Sequence, residues 1–463
     1  MPAKYHIHTE PAPPRFRPVG KLGIVDWRED CAGCHNCVKK SCVYGFYRKE
    51  ADILHDEPGY LDYIYQCKGC LTCVQNCTKG ILTRVVNPEY MQLGDSYYTP
   101  DIILTTWFQA ETGKIPVSGS GYGGPFSGPG FDSMWTDMSE IVRPTRDGIH
   151  GREYISTSVD IGRTLPYLSF QDGQLTASPP TLIEIPFPVI FDVVPEPWQK
   201  GTICNSVIRA ASEIGLMAIV PGDEIPAESG HIIPLYRNAE DTPTSADNSA
   251  AMVMLADSPN VVSVQKSLKE KNPDQVVAVR APATPESHKR AVELTREGME
   301  VIQFDFDPHG MEHESSDPRH LRDVMREIHG ALVREGIRDE VTLIASGGIA
   351  LAEHVAKAMI CGANLVAVDI PLMVALECRL CGECERGEIC PVDLAQIEPE
   401  YSVRRIVNLM GAWYNQLLEM LGAMGIREVR RLRGETGRSM FFEDLERDNF
   451  GRLFGKRKGR IGA

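Results

Sequence analysis

Cysteines at short, regular spacings carry the most chemistry in this sequence. The 463-residue chain has fourteen cysteines, and all but two of them fall into three dense clusters. The clusters are Cys31, Cys34, Cys37 and Cys42; Cys67, Cys70, Cys73 and Cys77; and Cys378, Cys381, Cys384 and Cys390. Three cysteines at steps of three residues place their thiolates around one corner of an iron–sulfur cubane. We therefore predict that these clusters bind iron and sulfide.

The first two cysteine clusters are ferredoxin-like. In that arrangement the fourth cysteine of each run ligates the cubane held by the other run. The pattern therefore predicts two 4Fe–4S clusters, one on Cys31, Cys34, Cys37 and Cys77, and the other on Cys67, Cys70, Cys73 and Cys42. Two departures are that four residues rather than three precede Cys42, and that no proline follows Cys42 or Cys77. Structural zinc and disulfides are the alternatives, but zinc ribbons use two separated pairs, so that the third cysteine of each run would be surplus.

Charge and hydropathy argue against several classes of protein. The formal net charge of −15 at pH 7 argues against a general nucleic-acid binder, because such binding depends on neutralising phosphates. The amino terminus has no apolar stretch of signal-peptide length, and no segment has the roughly 18 uncharged apolar residues of a membrane span. We therefore expect a cytoplasmic protein with no nucleic-acid partner and no membrane insertion.

Two segments near the carboxyl terminus fit simple roles. Residues Ile406 to Ile426 are predicted to form an amphipathic packing helix with Asn408, Asn415 and Glu419 on one wet face. A helix lying on a membrane surface would carry a basic stripe instead. The basic tail at 456–460 is predicted to be a solvated end or a contact with an acidic partner.

Length and composition predict two or three domains. The predicted boundaries are 1–92 for a ferredoxin-like domain with two 4Fe–4S clusters, 93–180 for a linker and wrapping segment, 181–400 for a barrel, and 401–463 for a helical extension. Within the linker, residues 118–130 are rich in glycine, serine and proline and lack hydrophobic periodicity.

From about residue 180 onward, apolar β-branched runs alternate with helical segments. Nearly continuous hydrophobicity is typical of parallel strands that are buried on both faces. The predicted strands are 183–191, 216–220, 261–264, 276–280, 299–306, 341–346 and 365–369, and the clearest predicted helices are 285–297 and 321–335. Such alternation builds an open doubly wound sheet or an eightfold barrel. Because no GxGxxG motif follows a strand, we predict an α/β fold: a (β/α)8 TIM-type barrel preceded by a small α+β ferredoxin-like domain.

Polar residues at the carboxyl ends of the predicted strands are the candidate site residues of the barrel. They are Arg280, Asp305, Asp307, Ser346 with Gly347 and Gly348, and Asp369. The bare backbone amides of the glycine turn suit an anion, and the loop after the next-to-last strand holds a cofactor phosphate in many barrels. A purely structural turn is the alternative.

Two other groups of residues have less specific patterns. The acidic and histidine-rich stretch 305–314 could bind a metal or relay protons, although its spacing fits no defined ligand set and a solvated loop is the simpler prediction. The two cysteines outside the clusters, Cys204 and Cys361, are predicted to be core residues.

The segment from Ser346 to Ala363, followed by a strand, Pro-Leu-Met and a cysteine run that ends in Cys-Pro, resembles the FMN-binding synthase domain of the glutamate synthases. The resemblance extends over about residues 131–434, and the paired-cluster module in front of it is known from iron–sulfur versions of the family. It implies a barrel that binds FMN, with a third iron–sulfur cluster beside the flavin.

The resemblance also implies ligands for that third cluster. Cys378, Cys384 and Cys390 match the family's 3Fe–4S ligands, with one extra residue before the last of them. Cys381 has no counterpart in the family. A fourth cysteine makes a 4Fe–4S cluster possible at this position.

FMN binding is implied at two strand ends. Ser346, Gly347 and Gly348 would hold the flavin phosphate. Arg280 ends a strand where the family has a lysine, and a cation near the pyrimidine edge of the flavin stabilises the negative charge of the reduced ring. The alternative for Arg280 is a structural ion pair with a nearby acid such as Asp305.

Several family features are replaced in this sequence. The lysine- and glycine-rich catalytic loop is replaced by residues 264–273, and the glycine-rich substrate loop by residues 305–314. Val368 and Asp369 stand where relatives place glycine and threonine around the phosphate, and a carboxylate there repels a phosphate dianion. Because the sequence does not begin with the catalytic cysteine that amidotransferase domains expose, we expect no such domain and ammonia from elsewhere.

These observations predict an iron–sulfur flavoprotein oxidoreductase. It would pass electrons between 4Fe–4S clusters and FMN as a subunit of a larger redox complex, with ferredoxin or other subunits as redox partners. The first alternative is a ferredoxin-dependent glutamate synthase that makes glutamate from 2-oxoglutarate and ammonia supplied by a separate subunit. The second is a flavin-free scaffold whose iron–sulfur clusters alone carry electrons.

Overall fold

The computed structural model describes residues 5–16, 19–27, 34, 40, 71–80, 82–115, 130–136, 154–165, 167–176, 180–222, 230–237 and 250–454. The predicted cluster ligands Cys31, Cys37, Cys42, Cys67 and Cys70 lie outside these residues. The predictions for the linker stretch 118–129 and for the basic tail at 456–460 also concern residues outside them.

The elements described before the barrel are short. Strand β1 (Leu22–Trp27) pairs antiparallel with β2 (Leu82–Val86), so that the two flanks of the cysteine-rich module meet. The other elements described here are helices α1 (Thr72–Gln75), α2 (Pro88–Met91) and α3 (Pro100–Thr112), and strands β3 (Met134–Thr136), β4 (Val159–Ile161), β5 (Phe170–Gln171), β6 (Gln174–Leu175) and β7 (Ile183–Ile185). Strand β4 pairs antiparallel with β7, and β5 with β6.

Eight strands of the described chain close into a parallel barrel. Their order around the barrel follows the sequence, and the last strand pairs with the first. The strands are β8 (Val189–Phe191), β9 (Ala218–Pro221), β10 (Ile232–Tyr236), β11 (Met252–Ala256), β12 (Val276–Pro282), β13 (Val301–Asp305), β14 (Thr342–Ser346) and β15 (Leu365–Val368). Nearly all of their residues are buried, because side chains fill the inside and helices cover the outside. The predicted (β/α)8 barrel is confirmed.

Helices cover the barrel. They are α4 (Thr202–Ile214), α5 (Val261–Lys271), α6 (Ser287–Arg296), α7 (Leu321–Arg334), α8 (Ala352–Ile360) and α9 (Ile370–Ala375). In α7, Leu321, Val324, Met325, Ile328 and Leu332 repeat at helical spacing and are buried, as expected for an apolar stripe that faces a sheet. Cys204 in α4 and Cys361 at the end of α8 are buried as predicted.

The described chain continues beyond the barrel with helix α10 (Pro399–Ala423), strand β16 (Ser439–Phe441) and helix α11 (Phe442–Phe454). Helix α10 packs against α3 and α4, and β16 pairs antiparallel with β3. None of the helices in the described ranges combines the length and the apolar character that a membrane span needs.

Four predictions about these elements are wrong. Residues 261–264 begin helix α5 rather than a strand, and strands β10 and β11 were not predicted. The run 183–191 divides into β7 and β8, because Pro186 lacks the amide that a continuous ladder needs. Asn408 is not on a wet face: its side chain is buried and bonds to the backbone of Glu10 and Ala110, so the amino-terminal segment covers that side of α10.

Candidate functional site

The carboxyl ends of four barrel strands contribute to one hydrogen-bonded polar network. Arg280 lies between the carboxylates of Asp192 and Asp305, and its Nη2 is 2.8 Å from Asp305 Oδ1. Gln303 is fully buried, and its Nε2 donates to Asp192 Oδ2 and to Ser346 Oγ, each at 2.9 Å. The ion pair of Arg280 with Asp305 is the structural alternative that the sequence left open, and it is present.

Charge balance keeps Arg280 protonated in this network. Burial opposes its positive charge, but the carboxylates of Asp192 and Asp305 outweigh that effect and raise the pKa of Arg280 above its ordinary value. Because both carboxylates are engaged with the guanidinium, little of its positive charge is left for a further anion.

Asp369 adds a third carboxyl to the same end of the barrel. It follows β15 and begins helix α9. Burial raises the pKa of Asp369 to about 7, and the nearby carboxylate of Asp192 adds to that rise, while the backbone amide of Ile370 and the charge of Arg280 oppose it. Near neutral pH this carboxyl is therefore close to half-protonated.

The glycine turn after β14 is closely packed. The φ angles of Gly347 and Gly348 are 87° and 67°. A Cβ on Gly347 would lie 2.5 Å from the carbonyl oxygens of Phe306 and Asp307, and a Cβ on Gly348 would lie 2.5 Å from the Cα of Gly310. The approach of the loop 306–310 therefore requires glycine at both positions.

Two backbone amides of the turn are open, in the sense that they have no hydrogen-bond partner among the described residues. Gly348 and Ile349 are buried, yet their N–H groups make no hydrogen bond with the part of the chain that the structure describes. Unpaired buried amides are rare in folded proteins. Adjacent free amides at a turn that leads into helix α8 suit an anion, such as a phosphate group.

The segment that follows the cysteine-rich module reaches this turn. Tyr97 Oη donates to the carbonyl oxygen of Gly348 at 2.6 Å and lies 3.1 Å from His320 Nε2. His309 Nε2 lies 2.8 Å from Asp95 Oδ2, and the His309 ring stacks on Tyr97. Burial, helped by the charge of Arg322, lowers the pKa of His320 to about 3, so that this histidine is neutral.

The acidic and histidine-rich stretch 305–314 is engaged in pairings within the protein. The Asp307 carboxylate accepts the amides of His309 and Met311, and Glu312 is buried in an ion pair with Arg319. In the ranges that the structure describes, no three histidine, cysteine, aspartate or glutamate side chains are arranged to hold a metal ion. A fully solvated loop therefore does not describe this stretch.

The third cysteine run forms the loop after helix α9. Its four cysteines are partly buried, and their thiols form no disulfide. Burial, helped by the charges of the other three thiols of the run, raises the pKa of the Cys378 thiol to about 12, while the amide of Leu380, which lies 3.5 Å from the sulfur, opposes the rise. The thiols of the run therefore interact electrostatically, although among the described residues they do not meet the geometry of a metal site.

An apolar cluster joins this loop to the amino-terminal module. Tyr90, Leu93 and Tyr98 pack with residues that begin α8 and α9, and Leu380 of the cysteine loop packs against them. The amide of Gly94 donates to the carbonyl of Arg379 at 3.0 Å. The segment 90–98 thus contacts the cysteine loop and the barrel.

The described amino-terminal cysteines are Cys34, Cys73 and Cys77. Cys34 is exposed, Cys73 buried and Cys77 partly buried. Cys34 Sγ lies 3.8 Å from the hydroxyl of Thr78, the residue after Cys77. The structure thus brings a cysteine of the first run beside the residue that follows the last cysteine of the second.

Sequence reasoning missed four polar residues of the barrel end: Asp192, Gln303, Tyr97 and His320. Asp192 directly follows a predicted strand, and that position was a usable signal. Gln303 lies within a strand, and Tyr97 and His320 come from segments far from it in sequence, so that only the fold brings them together.

Comparisons with known proteins give similarity to glutamate synthases. The conserved region of glutamate synthase matches residues 319–427. An archaeal-type glutamate synthase (NADPH) of Dehalococcoides mccartyi is 26% identical over 484 residues, which cover 89% of this chain and 93% of that protein. An archaeal glutamate synthase (NADPH) of Archaeoglobus fulgidus is 25% identical, over 92% of this chain and 96% of that protein.

Among solved structures, a mandelate oxidase with an FMN adduct aligns with a TM-score of 0.38 at 15% identity, over 66% of this chain and 92% of the oxidase. The matched region 319–427 contains the glycine turn, Asp369 and the third cysteine run. The chain is thus similar to glutamate synthases over most of its length, and residues 319–427 match the conserved region of that family.

Proposed function

We propose that this chain is a glutamate synthase-type oxidoreductase that transfers electrons between iron–sulfur clusters and FMN. The observation that carries the proposal is the continuous contact from the cysteine-rich module, through the segment 90–98, to the third cysteine loop and the glycine turn. Such a path suits electron transfer between cofactors held at its two ends.

The amino-terminal clusters would be held by crossed ligand sets. The proximity of Cys34 to Thr78 supports a set that joins Cys31, Cys34 and Cys37 to Cys77. The second set would be Cys67, Cys70, Cys73 and Cys42. Each set supplies four thiolates, which is the number that a 4Fe–4S cluster takes.

The third cluster would be held by the loop after α9. Cys378, Cys384 and Cys390 are the proposed ligands, and Cys381 supplies a fourth thiolate. The amide of Leu380 near the Cys378 sulfur is the kind of donor that tunes a cluster's potential. The absence of disulfides among the described cysteines suits metal binding and a reducing compartment such as the cytoplasm.

The open amides of Gly348 and Ile349 fit the phosphate of FMN. Ser346 and Gly347 would complete that side of the site, and Arg280 would lie toward the flavin ring. FMN, when bound, exchanges single electrons with clusters and stores two of them. The chain's part is to hold the phosphate on the glycine turn, and to keep Arg280 fixed and charged between Asp192 and Asp305.

The test is the cofactor content of protein purified without oxygen. About one FMN and eleven or twelve irons per chain are expected for three clusters. Iron at that level without FMN would replace the proposal with a cluster-bearing scaffold, and FMN without iron would remove the electron path. The redox partners that we propose are ferredoxin or other subunits of a complex.

Glutamate formation is the second candidate, because both nearly full-length relatives are named glutamate synthases. The reaction combines 2-oxoglutarate, ammonia, two electrons and two protons to give glutamate and water. Glutamate production from 2-oxoglutarate and ammonia with reduced ferredoxin would support it. If FMN-replete protein made no glutamate, electron transfer would be the one function of the two that remains.

A further inference from the structure

Asp369 and the glycine turn follow neighbouring strands of the barrel, and Ala350, after the turn, lies in one apolar cluster with Ile370, which follows Asp369. In the neighbouring strands β14 and β15, Ser346 pairs with Ala367. Gly348 and Asp369 each follow that pair by two residues, so both lie at the carboxyl end of the barrel. An anion held on the turn would therefore lie at the same end of the barrel as this carboxyl group.

The groups that face Asp369 come from several elements. Asp192 follows β8, Arg280 lies in β12 and Asp305 ends β13, and each acts on the Asp369 carboxyl. The buried hydroxyl of Tyr98 is also within its electrostatic reach. Since Arg280 is engaged by Asp192 and Asp305, an ionised Asp369 would find little free positive charge.

The helices packed against α9 bring charges that are engaged elsewhere. On α3, Asp101 pairs with Lys21. On α10, Arg405 donates to the carbonyl of Ala375 and to the amino-terminal segment at Ala12. Neither interaction supplies a counter-ion to the Asp369 carboxyl.

We propose that Asp369 makes phosphate recognition in this barrel depend on a proton: the neutral carboxyl admits a phosphate dianion on the Gly348 turn, and the carboxylate rejects it. The inference rests on the proposed binding of FMN to that turn. It follows from charge, because a phosphate ester carries close to two negative charges above about pH 6 and like charges in a partly buried site repel strongly.

The direction of the pH effect follows from Asp369 itself. Its pKa is raised to about 7, so that the carboxyl is mostly neutral below that pH and mostly ionised above it. If only the neutral form admits the dianion, FMN affinity falls up to about tenfold for each pH unit above the pKa. Riboflavin lacks the phosphate, so its affinity should not follow this trend.

The experiment uses the full chain, purified without oxygen and freed of flavin by gel filtration. FMN and riboflavin are titrated separately from about pH 6.5 to about pH 8.5, above the phosphate's own ionisation at about pH 6, and free flavin is measured by fluorescence. Wild type is compared with Asp369→Asn. The control is Asp274→Asn, which removes an exposed carboxylate immediately before β12, at the opposite end of the barrel.

We expect wild type and Asp274→Asn to lose FMN affinity at least about tenfold over this range, and Asp369→Asn to lose little. Equal slopes for FMN and riboflavin, or an FMN affinity of wild type that does not change with pH, would overturn the inference and leave FMN binding intact. Failure of both flavins to bind at any pH would instead remove the proposed flavin site. If Asp369→Asn does not fold, the comparison of FMN with riboflavin on wild type still tests the inference.

Discussion

Tyr97 Oη donates a hydrogen bond of 2.6 Å to the carbonyl oxygen of Gly348. This bond joins the segment that follows the cysteine-rich module to the turn where a phosphate would bind. A 3.1 Å contact of Tyr97 Oη with His320 Nε2 also anchors this hydroxyl to the start of helix α7. The glycine turn and the segment that follows the cysteine-rich module are therefore held by one side chain.

Replacing Tyr97 with phenylalanine should weaken this junction. The change removes the donor to Gly348 and leaves its buried carbonyl with one partner fewer, which typically costs about 1 to 3 kcal/mol. We expect a lower free energy of unfolding, measured by tryptophan fluorescence in urea. The control is Tyr167→Phe, because Tyr167 is 74% exposed. Equal stability of the two variants would show that the Tyr97 hydroxyl contributes nothing.

Gly348→Ala should destabilise the protein more than the positive φ angle of Gly348 alone explains. Gly348 and Gly336 have similar φ angles, 67° and 71°, but a Cβ on Gly336 would meet no atom within 4 Å. Gly336→Ala should therefore cost about 1 to 2 kcal/mol from strain. Gly348→Ala should cost more and should lower the FMN content, because the Gly310 backbone must move. Matching unfolding energies in urea and matching FMN contents would contradict the close approach of that loop.

The sequence predicts the barrel well because its central strands are buried on both faces. Their hydrophobicity is nearly continuous in Val276–Pro282 or Val301–Asp305, and no other element explains it. The run 261–264 is equally apolar in sequence, but Asn260 precedes it and three lysines follow, so that one face of a helix suffices to bury it. Short apolar runs do not distinguish these cases.

The site is less predictable than the barrel, because its key contacts join distant segments. Strand-end position singled out Arg280 and Ser346, and the structure places both in one network. Nothing in the sequence pairs Tyr97 with Gly348, or Asn408 with Glu10. Asn408 looked solvent-facing because periodicity describes one helix and contains no information about the segment that covers it.

Asp369→Asn should stabilise the protein at high pH. Because burial raises the pKa of Asp369 to about 7 from its ordinary 3.8, the folded state disfavours its charged form, and stability falls as pH rises from about 4 to about 7. An asparagine removes that loss. We expect a gain of at least about 1 kcal/mol at about pH 8 and little change at about pH 4, measured by urea unfolding of flavin-free protein. An equal effect at both pH values would show that titration of Asp369 is not the cause.

Arg280→Met should be among the most destabilising changes at the barrel end. It leaves the buried Asp192 carboxylate without its cation, and removal of one partner from a buried pair costs about 3 to 5 kcal/mol. Asp305 is 34% exposed and should contribute less, since solvent screens it. Arg209→Met is the control, because its exposed pair with Glu400 should be worth less than about 1 kcal/mol. Similar urea midpoints for the two variants would mean that the Arg280 network does not stabilise the barrel.

Cys381→Ser should reveal the nature of the third cluster. If Cys381 supplies the fourth thiolate, its loss should convert a 4Fe–4S cluster to a 3Fe–4S cluster and remove about one iron per chain. Electron paramagnetic resonance of the oxidised protein should then show a new 3Fe signal. Cys204→Ser is the matched control, because Cys204 is a buried thiol in helix α4 and belongs to none of the three cysteine runs. A 3Fe signal already present in wild type and unchanged in Cys381→Ser would show that three cysteines suffice and that Cys381 is not a ligand.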